Sequence, residues 1–201
     1  MSQGAGRMTL KNQTKLLFAK KIEEMLESMS LEQVRIVELC KRAGTIPQTF
    51  YYHFRDKYEL VAWIFLYDFS VVYGDRSPNY TKNRIIENLK QIEKRRTFYL
   101  KAYMDQSQNS INRYIQNFNV QIAITAVKNS RDGEEPTEME INQIKYHSYG
   151  MMGLFAEWLA GTSKLTIEKL AEFQYECTPD FLKQAYKEHP FQRSKLFKED
   201  F

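Results

Sequence analysis

The chain has 201 residues, 43% of them apolar, which is enough to build a substantial core in one or two domains. Two cysteines, Cys40 and Cys177, argue against a disulfide framework, and the longest apolar run, Leu60 to Tyr67, falls far short of the roughly 20 residues a bilayer span needs. A net charge of +4 is too mild to name a partner; with only 8 Gly and 5 Pro among many apolar-periodic segments, the expected class is all-α.

Met1 to Arg7 has no apolar centre, so it reads as a frayed arm rather than a secretory signal, and the chain is expected in the cytoplasm. Residues 1–60 hold ten basic and seven acidic side chains, a balance of +3 that fits nucleic acid without proving it. Phe18, Ile22, Met25, Leu26 and Met29 recur at spacings of three and four, which places helix 1 at about 8–29. Ser30-Leu-Glu-Gln33 has the form of a capping box that would start helix 2 at once. The competing reading makes Leu31 and Val34 loop anchors, with helix 2 at about 36–43.

Gly44 ends helix 2, since glycine tolerates the left-handed turn past a helix C-terminus. Pro47 suits the first turn of the next helix, about 47–53, where its missing N–H is not needed. Two short helices around a glycine-containing turn make a helix-turn-helix. After Asp56, a candidate N-cap, Leu60, Val61, Ile64, Phe65, Asp68 and Val71 define helix 4. Gly74 to Pro78 is the best boundary. Helices follow at about 81–93, 95–106, 109–129, 137–160, 167–176 (capped by Thr166) and 179–187, ahead of a loosely held tail from His189.

A helix of this kind fits the major groove with its first residues against base edges. Gln48 can pair bidentately with adenine, and Thr49 can offer a hydroxyl or meet a thymine methyl. Tyr51, His53 and Lys57 could hold phosphates, which fixes register without reading sequence. Phe50 and Phe54 read as core aromatics. The stretch Leu39-Cys-Lys-Arg-Ala-Gly44-Thr-Ile-Pro-Gln-Thr49-Phe-Tyr-Tyr-His53-Phe-Arg-Asp-Lys57-Tyr-Glu-Leu60 resembles the DNA-binding signature of the TetR family. In that family helix 2 starts near the position of Ile36, which favours the loop reading of Leu31 and Val34. The resemblance implies a dimeric transcription regulator, by expectation a repressor, on palindromic double-stranded operator DNA. Its expected contact set is Arg35, Thr45, Pro47, Gln48, Thr49, Tyr51, Tyr52, His53 and Lys57. Thr45-Ile46 replaces the family's Val-Ser, which removes the usual N-cap hydroxyl; Thr45 is expected to supply one from the preceding position. Gln48 stands where the family often has Gly, which should alter base preference.

The division implied is a DNA-binding domain at 8–56 and a helical effector and dimerisation domain at 57–188, with helix 4 (57–72) as connector. Phe98-Tyr99, Tyr146-His-Ser-Tyr-Gly150, Trp158-Leu-Ala-Gly161 and Thr166-Ile-Glu-Lys-Leu170 are similar to a TetR branch that includes a dihydroxyacetone kinase regulator. That branch implies that the effector is a co-regulator protein as readily as a small molecule. Gly150, Gly153, Ala156 and Ala160 place small residues along the helix at 137–160, which permits close helix approach; with Leu170 they form the expected homodimer interface. Intramolecular packing is the alternative explanation of the two glycines, each of which costs about 1 kcal/mol inside a helix. Tyr99, Tyr103, Tyr114, Phe118, Tyr149 and Trp158 are the candidate effector-pocket aromatics, and His147 is a further candidate. His53, His147, His189 and the cysteines never stand at ligand spacing, so no metal or cofactor is expected. No nucleophile–base pair or carboxylate dyad rises above chance, so no enzyme is expected, nor any membrane partner.

Overall fold

A computed structural model of the protein describes residues 10–74, 80–105, 107 and 110–189. The boundary at Gly74 to Pro78 therefore falls mainly outside the described residues, as do the N-terminal arm and the tail beyond His189. The described residues form helices without strands: α1 (Leu10–Leu26), α2 (Ile36–Arg42), α3 (Pro47–His53), α4 (Lys57–Tyr73), α5 (Lys82–Glu93), α6 (Arg96–Tyr103), α7 (Ile111–Asn129), α8 (Glu138–Ala160), α9 (Ile167–Cys177) and α10 (Asp180–Glu188). This is an all-α fold, a helix-turn-helix followed by a larger helical domain. No helix among the described residues is long and apolar enough to cross a membrane.

The periodic face of α1 is buried, with Phe18, Ile22, Met25 and Leu26 all at 0–1% exposure. It packs on α2, α3, α4 and α6. The capping-box sequence at Ser30 closes only a turn. The Ser30 N–H donates to the Gln33 side chain (2.9 Å), but Gln33 and Val34 N–H bond back to Ser30 and Leu31 carbonyls, and the helix starts only at Ile36. Burying Leu31 and Val34 at 1% and 2% wins over helix continuation, so both act as loop anchors.

Gly44 takes the left-handed conformation (φ +63°) and lets the Thr45 N–H reach the Cys40 carbonyl at 2.9 Å. Thr45 does not cap α3. Its hydroxyl faces the Cys40 carbonyl at 3.5 Å, and the N-cap is Ile46, with no side-chain bond. Pro47 starts α3 without a cap because its fixed φ and absent N–H suit the first helical position. Asp56, by contrast, does cap α4, accepting from the Tyr58 and Glu59 N–H groups at 2.8 and 2.9 Å.

α4 is buried nearly all round, which makes it the pillar of the molecule. Its apolar stripe is not quite the expected one: Val71 is 48% exposed, whereas Asp68 is 1% exposed and bonded inside. Beyond α4, α5 lies against α9, while α7 lies against α8 and α10. The Tyr80 and Thr178 hydroxyls meet at 2.6 Å and tie the approach to α5 to the end of α9. A capping box, Thr137 with Glu140, starts α8, and Gly161 ends it at φ +76°. One continuous core runs from Phe18 on α1 to Tyr186 on α10.

Candidate nucleic-acid interface and C-terminal cavity

α3 has one face inward and one outward. Phe50 is fully buried, edge-on to Phe18 at 5.2 Å, and Phe54 is 2% exposed beside Trp63. Those two rings anchor seven residues that could not hold a helix alone. The opposite face presents Gln48, with Tyr51 and Tyr52 at 57% and 74% exposure; Pro47 and Thr49 are half-buried at its start. Tyr51 packs edge-on to Phe50 at 5.7 Å while more than half of the residue stays exposed. Arg35, at the N-cap of α2, is exposed, and Thr45 is half-buried in the turn.

Two expected phosphate ligands have more specific surroundings. Lys57 donates to the Glu32 and Val34 carbonyls at 2.7 and 3.1 Å, clamping the loop before α2 to the start of α4. Two of its three donors thus serve the fold before any serve DNA, and burial lowers its pKa. His53 lies against Tyr52 at 4.9 Å, its Nδ1 buried without a partner. Burial, then Lys15 and Lys11, push its pKa down, so it stands neutral at pH 7 and can offer hydrogen bonds but no charge. Exposed Val37 and Ile46, at 69% and 60%, are apolar neighbours of this surface in the chain that sequence reading passed over.

The second site is a cavity of about 140 Å³ among the C-terminal helices, open at a mouth. Tyr99 and Tyr103 line it, but Tyr114, Phe118, Tyr149 and Trp158 do not. Phe118 turns to Phe65 and Phe69 (5.4 Å each), with Tyr114 stacked beside it, while Tyr149 is 49% exposed. Trp158 carries the Arg96 guanidinium over its ring at 5.0 Å. In their place the wall holds polar side chains that interrupt apolar stripes: Asn88 on α5, Asn119 on α7, and His147 and Ser148 on α8. A polar residue flanked at three and four by Ile, Leu or Met was the signal available in sequence. The His147 Nε2 lies 3.2 Å from the Thr178 hydroxyl, and burial lowers its pKa.

The small residues of α8 look outward. Gly150, Gly153 and Ala160 are exposed and Ala156 half-exposed; a Cβ on either glycine would meet nothing within 4 Å. Intramolecular packing therefore does not explain the glycines. Leu170 corrects the expected set: at 0% exposure it is spent inside its own chain and cannot face a partner.

Residues 80–178 match the family model described as a transcriptional regulator C-terminal region, of TetR type. A curated relative is the HTH-type dhaKLM operon transcriptional activator DhaS of Lactococcus lactis subsp. lactis (strain IL1403), 28% identical over 92 residues, which is 45% of this chain and 49% of that protein. The chain thus matches over about half the length of that relative. Among solved structures, the dihydroxyacetone kinase operon activator DhaS superposes with a TM-score of 0.54 at 19% identity, covering 86% of this chain and 96% of that one. That likeness is one of fold. These relatives are transcription regulators and not enzymes.

Proposed function

We propose that this chain, which matches a TetR-type regulator model over residues 80–178, is a transcriptional regulator that binds a palindromic operator as a cytoplasmic homodimer, each copy laying α3 in a major groove. The observation that carries the proposal is the split character of α3. Phe50 is fully buried against Phe18, while Gln48, Tyr51 and Tyr52 on the same seven residues stay exposed. A helix held from behind with its polar face free is what groove reading requires. In this arrangement Gln48 and Thr49 read bases, Arg35, Thr45, Pro47, Tyr51 and Tyr52 meet the backbone, and His53 and the remaining donor of Lys57 support them. The domain limits 8–56 and 57–188, with α4 as connector, belong to the same proposal.

Dimerisation through α8 is supported by Gly150, Gly153, Ala156 and Ala160, whose small side chains open onto solvent beside Tyr146 (84% exposed). A second copy would bring two α3 helices about 34 Å apart onto one face of the duplex. The C-terminal cavity is the seat proposed for an effector, which acts only by binding the DNA-competent and incompetent forms unequally. A second reading puts a co-regulator protein on the C-terminal helices, favoured by the exposed Met139, Tyr146 and Phe173. The relative is named an activator, so repression is not assumed; a reporter behind the operator gives the sign.

Footprinting on the upstream region of the chain's own gene tests the proposal. Saturable, twofold-symmetric protection is expected. Protection without symmetry, or none at any concentration that keeps the protein folded, overturns it.

A further inference from the structure

We infer that the C-terminal cavity takes an uncharged organic molecule with an apolar body and a hydrogen-bonding group that reaches Ser148. This deepens the effector half of the function proposed above and rests on it. The size suits a small organic body: the cavity holds about 140 Å³ and opens at a mouth, close to the ~150 Å³ of an apolar cavity that takes up benzene.

The wall decides the charge. Among the described residues no Asp, Glu, Lys or Arg lines it, and its body is Phe65, Ile92, Ile115, Met151 and similar apolar side chains. The one lining group that titrates near neutrality, His147, is held neutral by burial. The nearest buried carboxylate on α4, Asp68, is already occupied: it accepts from the Tyr99 hydroxyl and Gln91 and faces Arg95. An anion or cation entering this space would lose its hydration with no counter-charge to replace it.

The wall also decides where a polar group goes. The Ser148 hydroxyl is buried, the residue 7% exposed, and no protein atom partners it. On α7, also in the wall, the Asn119 amide N–H₂ has among the described residues the Met152 sulfur at 3.9 Å, a weak acceptor. A buried hydroxyl without a partner is unusual in a folded protein and is satisfied by a ligand that brings a hydroxyl or carbonyl.

The test uses the full-length protein and three probes of one shape: 2-naphthol, 2-naphthoate and 2-naphthylmethylammonium, titrated calorimetrically at pH 7.5. The expected result is saturable binding of 2-naphthol, one per chain, at least tenfold tighter than either charged probe. Ser148→Leu and Asn119→Leu, each filling the cavity from a different helix, should weaken 2-naphthol at least tenfold while circular dichroism stays that of the parent. Equal affinity for a charged probe, no binding of 2-naphthol, or binding untouched in both folded variants overturns the inference. The effector reading fails separately: operator affinity that is the same with the cavity empty, probe-filled and side-chain-filled sinks it while the cavity assignment stands.

Discussion

The Tyr99 hydroxyl donates to the Asp68 carboxylate at 2.9 Å, and both side chains are buried, at 0% and 1% exposure. Tyr99 also lines the cavity. Gln91 donates to the other Asp68 oxygen at 3.0 Å, and Arg95 stands 3.7 Å away, its second arm 3.0 Å from Glu23 on α1. The Arg95–Glu23 contact is close by distance but misaligned as a hydrogen bond, so we count it as an ion pair only. A chain of polar groups thus runs from the cavity wall to α1, the helix whose Phe18 supports Phe50 of α3.

Tyr99→Phe removes one donor from a buried carboxylate. The expected loss is about 1–3 kcal/mol of stability, measured by chemical denaturation, with a larger fall for Asp68→Leu because Tyr99 and Gln91 then lose their buried acceptor and Arg95 one of its two carboxylates. Unchanged stability in Tyr99→Phe would mean that the hydroxyl is not spent on Asp68.

Lys57 gives a way to separate a fold clamp from a phosphate contact. Lys57→Met should destabilise the protein by about 1 kcal/mol through the lost carbonyl bonds to Glu32 and Val34. A pure phosphate ligand would leave stability alone and only flatten the salt dependence of DNA binding.

Gly153 distinguishes the two ways a helical glycine can be retained. Gly153→Leu meets open space within the chain, so the helix should gain up to about 1 kcal/mol while the dimer weakens. Sedimentation velocity should show more monomer at a given concentration. A dimer of unchanged affinity would remove α8 from the interface.

Acid should weaken the fold through His147. Burial places its folded pKa below the ordinary 6.5, so its contribution is complete above that value and is lost as pH falls through the folded pKa. Lys183 on α10 adds to the lowering, while a bond to the Cys177 backbone opposes it; Tyr80 lies near through Thr178. Asp68 and Glu23 act with the opposite sign, since burial raises their pKa values and protonation favours the folded state. The melting temperature should fall from pH 7.5 to 5.5, and the fall should be shallower in His147→Gln. An identical slope in the two proteins would contradict the assignment.

Helix limits were largely legible because their determinants are local: Pro47 at the start of α3, Asp56 before α4, Gly161 after α8. The fate of Ser30 to Gln33 was legible only through the family resemblance, since its own hydrogen bonds suit a cap and burial of Leu31 and Val34 decides otherwise. Spacing tells which side of a helix is inward but not what opposes it. Tyr114 and Phe118 share the inward side of α7, yet pack on α4 rings, whereas Asn119 one residue on faces the cavity. Leu170 misled for the same reason. A cavity is the space several helices jointly fail to fill, and no single stripe records it.

The most direct test of α3 as the reading element is the affinity of Gln48→Ala for its operator and for a scrambled duplex at one salt concentration. Loss of a bidentate base contact should weaken the operator complex by about 1–3 kcal/mol, roughly 5- to 150-fold, and leave the scrambled complex nearly unchanged. Equal affinity of Gln48→Ala and the parent for the operator, or an equal loss on both duplexes, would contradict it.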